Sequence, residues 1–257
     1  MTRSVLGIVA ACTLLVATPL VAQENRAWPE RAFVTFDVPL QPLNNNFSES
    51  LTFADTVRKA ESVNFVADYA STRGALFDVG AGLRLAKNLG AGVAVSRFQR
   101  AGSGSFDLTV PNPIVANKPL DLTGSISGLR RNELGIHFQV LRAFPLGDRA
   151  RVMLAGGPSV FQIRQDLVRS VQFDIMPGFT ALTFDRAFIA TAERTVVGFN
   201  VSGDITWALA RHLGIGTVTR YSRAKATLDP GSQAGVSRAI ETHAGGLHVG
   251  GGIRVLF

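Results

Sequence analysis

The sequence predicts an all-β fold, a transmembrane antiparallel up-and-down β-barrel of about eight strands. Three observations carry that prediction. The chain opens on an export signal. Beyond residue 22 it has no apolar run of the ~20 residues that a membrane helix needs. Its last residues alternate, with Leu256 the exception, between apolar and small-or-polar types, as a strand with lipid on one side requires.

The first element is the signal. Met1-Thr2-Arg3 is short and positive, Val5 to Val21 is almost wholly apolar, and Ala22 precedes polar Gln23 and Glu24. This reads as a signal peptide over 1–22, leaving 23–257 as the barrel domain. Leu20 departs from the small-x-small pattern, and an uncleaved anchor is the alternative. Cys12, the only cysteine, lies inside this segment. The mature chain is therefore expected to hold no disulfide and no thiolate metal site.

Composition narrows the classes. Charged residues make up 18% of the chain, glycine contributes 26 residues and the net charge is +7. A basic balance suits nucleic acid or an anionic membrane. No Lys/Arg run or nucleic-acid motif supports the first, so no nucleic-acid partner is expected. Nor is there a phosphate-binding glycine loop, a nucleophile elbow, a zinc-protease helix motif or a paired-cysteine motif. The expectation is no enzyme, no cofactor and no metal.

The strands follow in order. Ala32, Val34, Phe36 and Val38 alternate with Thr35 and Asp37. Phe77, Val79, Ala81, Leu83 and Leu85 alternate with Asp78, Gly80, Gly82 and Arg84. Leu134, Ile136, Phe138 and Val140 alternate with Glu133, Gly135, His137 and Gln139. Val197, Phe199, Val201, Ile205 and Trp207 alternate with Asn200, Ser202, Asp204 and Thr206. At the end, Leu247, Val249, Gly251, Ile253, Val255 and Phe257 oppose Gly246, His248, Gly250, Gly252 and Arg254, with Leu256 the exception. Successive strand side chains face opposite ways, so each segment presents one apolar face. The stretch 150–164 is ambiguous, and Gly156-Gly157-Pro158 predicts a bulge that shifts its register.

Connections alternate in length. Leu85-Ala-Lys-Asn-Leu-Gly90, Phe144-Pro-Leu-Gly-Asp148 and Leu209-Ala-Arg-His-Leu-Gly214 are tight turns. The connections 41–73, 102–128, 165–193 and 228–241 are long. The predicted strands are therefore 31–40, 74–86, 89–101, 129–143, 149–164, 194–209, 212–227 and 243–257. Residues 50–70 alternate as well and predict a hairpin beyond the membrane within the first long loop.

With its export signal, repeated turns and terminal Arg254-Val255-Leu256-Phe257, the chain resembles the small eight-stranded outer-membrane barrels, the OmpA/OmpX-like proteins and the OmpW-like porins. The resemblance spans residues 31–257. It implies location in the cell outer membrane and contact with outer-membrane lipid and lipopolysaccharide. It also implies that Phe257, Val255 and Ile253 form the signal read by the barrel assembly machinery. No peptidoglycan-binding tail is expected after Phe257. The alternative is a secreted β-barrel whose apolar faces point inward around a filled core.

Candidate site residues fall into two groups. Asp37, Asp78, Arg84, Glu133, His137, Asp204, Arg220, His248 and Arg254 share the inward face. An eight-stranded barrel is only wide enough for side chains to fill it, so these are expected to pair in a lumen network. Glu133 and His137 lie about 13 Å apart along one strand and form no acid–base pair. The second group is basic and sits near the long loops: Arg97, Arg100, Arg130, Arg131, Arg164 and Arg169, with Arg194, Arg223 and Lys225. Arginine suits phosphate, so these are candidate contacts for lipopolysaccharide, with ordinary solvated loop edges as the alternative. Phe98, Phe144, Phe161, Trp207 and Tyr221 are candidates for the aromatic girdles. Phe173, Ile175, Met176, Phe179, Leu182, Phe184 and Phe188 make the third long loop unusually apolar, and simple packing is its first explanation.

The expected function is a structural, envelope or surface-loop role. A narrow porin-like channel for small or apolar solutes comes second, and a lipid-modifying enzyme third.

Overall fold

The computed structural model describes residues 30–42, 46–54, 62–70, 74–115, 117–229, 231 and 239–257. The segment 1–22, where the signal was read, lies outside them. The described residues contain no helix. Their strands are β1 (Ala32–Asp37), β2 (Leu40–Gln41), β3 (Phe47–Ala54), β4 (Ser62–Ala70), β5 (Gly74–Ala86), β6 (Leu89–Val110), β7 (Leu120–Leu146), β8 (Ala150–Ile175), β9 (Leu182–Ala210), β10 (Leu213–Leu228) and β11 (Ile240–Leu256). All pairings are antiparallel, and β1, β5, β6, β7, β8, β9, β10 and β11 close into a ring through β1–β11.

The remaining short strands extend this ring. β2 resumes the line of β1 after Val38-Pro39, pairing with Val249 on one side and with Gly74 and Ala75 on the other. Proline has no N–H for a ladder, which accounts for the break. β4 pairs with β6 from Ser103 to Thr109, directly beyond the stretch where β5 pairs with it. The first two ring strands are thus continued past the barrel by the β3–β4 hairpin, as the alternation over 50–70 predicts.

Strand faces follow the sequence pattern. Phe77, Val140, Val197, Ile253 and Trp207 point outward and are exposed, whereas Asp78, His137, Asp204 and Arg254 point inward and are buried. Two close approaches explain part of the inward glycine. A Cβ on Gly252 would lie 1.8 Å from the Phe36 carbonyl, and one on Gly82 would lie 2.5 Å from the Phe33 ring. Larger residues at either place would push the wall apart.

Two expectations are overturned. The connections 102–128 and 165–193 are mostly strand: β6 runs on to Val110, β7 begins at Leu120, β8 reaches Ile175 and β9 begins at Leu182. On the extensions of β6 and β7 the inward face is apolar and the outward face polar, the reverse of the pattern sought, whereas the β9 extension also leaves Phe184, Phe188 and Ile189 exposed. Nor does Gly156-Gly157-Pro158 shift the register. His137 faces Ser159 and Val140 faces Gly156 in one unbroken count. The ladder opens at Pro158 for want of an N–H, with no extra residue on either strand. Asn200 fills the opening, its Nδ2 donating to the Gly157 carbonyl at 3.0 Å.

Candidate functional site

The inward face builds a layered polar network. Nearest the short turns, Arg254 is completely buried. Its Nη1 donates to Asp37 Oδ1 at 2.7 Å and its Nη2 to Asp204 Oδ2 at 2.5 Å. Thr206 also donates to Asp204, at 2.6 Å. One guanidinium thus joins three strands, β1, β9 and β11. In the same layer Arg220 of β10 grips Asp78 of β5 with both terminal nitrogens. Arg84 is half-buried near the turn end of β5.

The middle layer is built on serine, glutamine and asparagine around an imidazole. His137 contacts Ser96 Oγ through Nε2 at 2.9 Å and Ser159 Oγ through Nδ1 at 2.8 Å. Both ring nitrogens are therefore engaged by serines. The Phe161 ring meets the imidazole edge-on at 5.5 Å. Gln139 donates to Asn200 at 2.9 Å, and Asn200 donates to Ser159 at 2.9 Å. His248 is buried on β11.

A third layer closes the polar lumen. Arg131 donates from Nε to Glu133 Oε1 at 2.6 Å and from Nη2 to the His243 carbonyl at 2.6 Å. Glu133 Oε2 accepts the Gly245 N–H at 2.9 Å. Gly245 and Gly246 have φ of +80° and +151°, a twist of β11 that aims this amide inward. Above this layer the interior turns apolar, with Phe65, Phe106, Leu122, Leu167, Leu228 and Ile240 packed in one cluster. The lumen cavity lined by Asp37, Asp204 and Arg220 measures about 30 Å³, room for a water or two.

Of the predicted lumen residues, Asp37, Asp204 and Arg254 interlock, Asp78 pairs with Arg220, Glu133 and His137 sit in different layers, and His248 Nδ1 is buried without a partner. The basic belt fares less well. Arg131 is 2% exposed and belongs to the lumen. Its cross-strand partner Arg100 also turns inward, filling the space beside Gly74, where its Nε lies 1.8 Å from any Cβ added there. Both share strand parity with inward neighbours, Glu133 and Phe98. Arg97, Arg130, Arg164 and Arg169 are exposed. Phe98 and Phe161 are buried inward and leave the girdle, while Trp207 and Tyr221 stay outside. Sequence reasoning missed Ser96 and Ser159 as partners of His137, and Asn200 as the donor to Ser159. It also missed Arg151, which is buried and pairs with Glu30 at 2.7 Å. The apolar third loop packs in part: Leu182 is buried and the Phe184 ring lies 5.5 Å from Phe106.

On the outer wall a cleft of about 270 Å³ lies between Arg97, Asn132, Leu134, Gln162 and Arg164. Arg164 Nε donates to Glu193 at 2.8 Å, and Gln162 donates to the same carboxylate at 2.5 Å. Arg130 Nε donates to Asp166 at 3.3 Å. The Arg97 side chain has no ion pair or hydrogen bond among the described residues, and Asn132 Oδ1 is buried without a partner.

No family model and no curated protein matches this chain. Solved structures do. OprG, an outer-membrane protein of Pseudomonas aeruginosa, aligns over 91% of this chain and 99% of its own at 9% identity, with a TM-score of 0.51. Neisserial surface protein A aligns over 88% and 97% at 12% identity, TM-score 0.42. The outer-membrane protease OmpT of Escherichia coli aligns over 88% and 97% at 9% identity, TM-score 0.46. The fold is that of the small outer-membrane β-barrel proteins.

Proposed function

We propose that this chain is a non-enzymatic barrel of the outer membrane that serves the envelope by holding a rigid β-structured extension outside the cell. The observation that carries this reading is the filled lumen. Paired charges occupy the membrane half, and an apolar cluster lies across the other half. Ions need a continuous hydrated path, and among the described residues the lumen cavities of about 30 and 10 Å³ offer none. The His137–serine group supports the non-enzymatic reading too. Ser159 and His137 are fully buried, and among the described residues both ring nitrogens meet serines and no carboxylate. Planar-bilayer recording of the purified, folded protein tests the proposal. Flat current at ±100 mV, a setting of about 2.3 kcal/mol per charge, is expected. Stable unitary steps would overturn it.

One observation favours a second reading, a port for apolar solutes. Among the described residues β3 makes a ladder only with β4, so the long end of the ring is not closed by hydrogen bonds between β3 and β11. The interior behind that seam is apolar. Faster entry of a fluorescent alkane-chain probe into proteoliposomes than into protein-free vesicles, without ion current, would favour this reading over the first.

A further inference from the structure

We propose that the outer-wall cleft between Arg97 and Arg164 binds a phosphate of a phosphorylated lipid headgroup in the membrane leaflet around it. The proposal rests on the reading of the chain as an outer-membrane barrel, and it converts a diffuse basic belt into one place.

The position is the first argument. On β6 the outward side chains Leu89, Val93 and Val95 are apolar and exposed, and Arg97 is the next outward residue. On β7 the outward run Val140, Phe138 and Leu134 gives way to Asn132, and on β8 Val160 gives way to Gln162 and Arg164. The cleft therefore straddles the level where hydrocarbon contact ends and headgroups begin. Leu134 forms its apolar lower wall.

The donors are the second argument. Arg97 faces Leu134 across β7, and Asn132 faces Arg164 on β8. Arg97 and Arg164 thus flank β7 from its two sides, two residues apart along the strands. Glu193 holds only the Nε of Arg164, which leaves both terminal nitrogens of that guanidinium to a ligand. Asp166 holds the Nε of Arg130 in the same way. Asp166 and Glu193 pair with Arg130 and Arg164, and among the described residues no carboxylate pairs with Arg97. A phosphate bridging Arg97 and Arg164 would take charge-assisted hydrogen bonds from both. Asn132 Oδ1, buried and unpartnered, offers an acceptor to a sugar hydroxyl of the same headgroup.

The belt elsewhere lacks this arrangement. Lys225 is paired with Glu241 at 2.6 Å, and Arg223 Nη2 lies 3.2 Å from His243 Nε2. Arg223 and Lys225 sit on β10, across the barrel from β7, and serve as the control.

The test uses the full mature chain folded in detergent, titrated with diphosphoryl lipid A and with its dephosphorylated form. The phosphorylated lipid should bind more tightly, and Arg97→Gln with Arg164→Gln should weaken it by about tenfold or more. Arg223→Gln with Lys225→Gln should leave the affinity within about twofold. Equal affinity of both lipids, or an equal loss in the control variant, would overturn the proposal. Arg97→Glu alone, a change at an exposed position, gives the same comparison if the double variant fails to fold. A wild-type chain whose gel mobility does not change on boiling would remove the barrel reading and this cleft with it. An intact mobility change with unchanged affinity removes the cleft alone.

Discussion

The two ends of β6 obey opposite rules. In its first half Val93 and Val95 are exposed while Ala94 and Ser96 are buried. In its second half Ser103, Ser105 and Asp107 are exposed while Phe106 and Leu108 are buried. One continuous strand thus passes from a barrel that is polar inside and apolar outside to one that is apolar inside and polar outside. The solvent on the outer face decides the difference. In hydrocarbon an outward polar group is costly, and the interior is left to satisfy paired charges. In water the outward face is polar at no cost, and burying apolar area inside supplies the stability. The polar–apolar boundary falls at Arg131 and Glu133 inside, and at Arg97, Asn132 and Arg164 outside.

The comparison breaks most severely at Arg254. Arg254→Ala would leave Asp37 and Asp204 buried without their cation, at a cost of about 3–5 kcal/mol. Urea unfolding followed by gel mobility should register this loss. Arg254→Ala with Asp37→Asn and Asp204→Asn should recover part of it. A single variant as stable as wild type would mean that water, not Arg254, solvates those carboxylates.

Leu167 probes the other half. It is fully buried in the apolar cluster, so Leu167→Ala should cost about 2–5 kcal/mol. The loss should be local. Protease should cut within 165–193 sooner, while the heat-dependent gel shift of the membrane half persists. Simultaneous loss of both would show that the halves unfold as one unit.

The membrane half was legible because period-two alternation with apolar residues outside is the pattern expected of a lipid-facing strand. The β5 boundaries come out residue for residue, as does the two-residue turn at Lys87-Asn88, while the turn at Arg211-His212 lies one residue beyond the expected 210–211. The β6 extension alternates just as regularly, with Phe106 and Leu108 against Ser105 and Asp107, while β8 loses the alternation over 165–168. The β6 phase is inverted, however, and serine-rich outward faces resemble loops. The lumen was legible as a set of charges but not as pairs. Arg254–Asp37 and Arg220–Asp78 join residues 217 and 142 positions apart, and only ring closure brings them together. Arg131 was misplaced although parity with Glu133 marks it as inward. Proximity to a predicted strand end outweighed the count by two.

A matched pair sharpens the rule about the outer face. Val93 and Ser105 are both outward and exposed on β6. Val93→Arg places a charge against hydrocarbon and should cost about 2–4 kcal/mol if it lies near the midplane, less toward the interface. Ser105→Arg should stay within about 0.5 kcal/mol, as for an ordinary water-facing substitution. Equal costs in the same unfolding assay would mean that β6 does not cross a membrane boundary between them.

The smallest effect concerns pH, and it separates the water-exposed half from the membrane half. Asp166 lies beyond Gln162 and Arg164, past the outward apolar run of β8. Burial acts to raise its carboxyl. The Thr191 hydroxyl, the Arg130 N–H and the Arg130 guanidinium outweigh that and hold it below the ordinary carboxylate value. A carboxyl depressed on folding lends stability that is complete above its unfolded value and is lost as pH falls through the folded one. Acidification from neutrality toward pH values below the ordinary carboxylate range should therefore loosen the contact between β8, the start of β7 and β9. The effect should be below about 1 kcal/mol, because Arg130 is largely in solvent. Amide exchange at Arg130, whose N–H donates to Asp166 at 3.1 Å, reads it directly. Once corrected for intrinsic acid and base catalysis, its protection should fall with acid in the wild type and stay level in Asp166→Asn. A parallel fall in the variant would assign the acid response to another carboxylate, such as Glu193 beside Arg164.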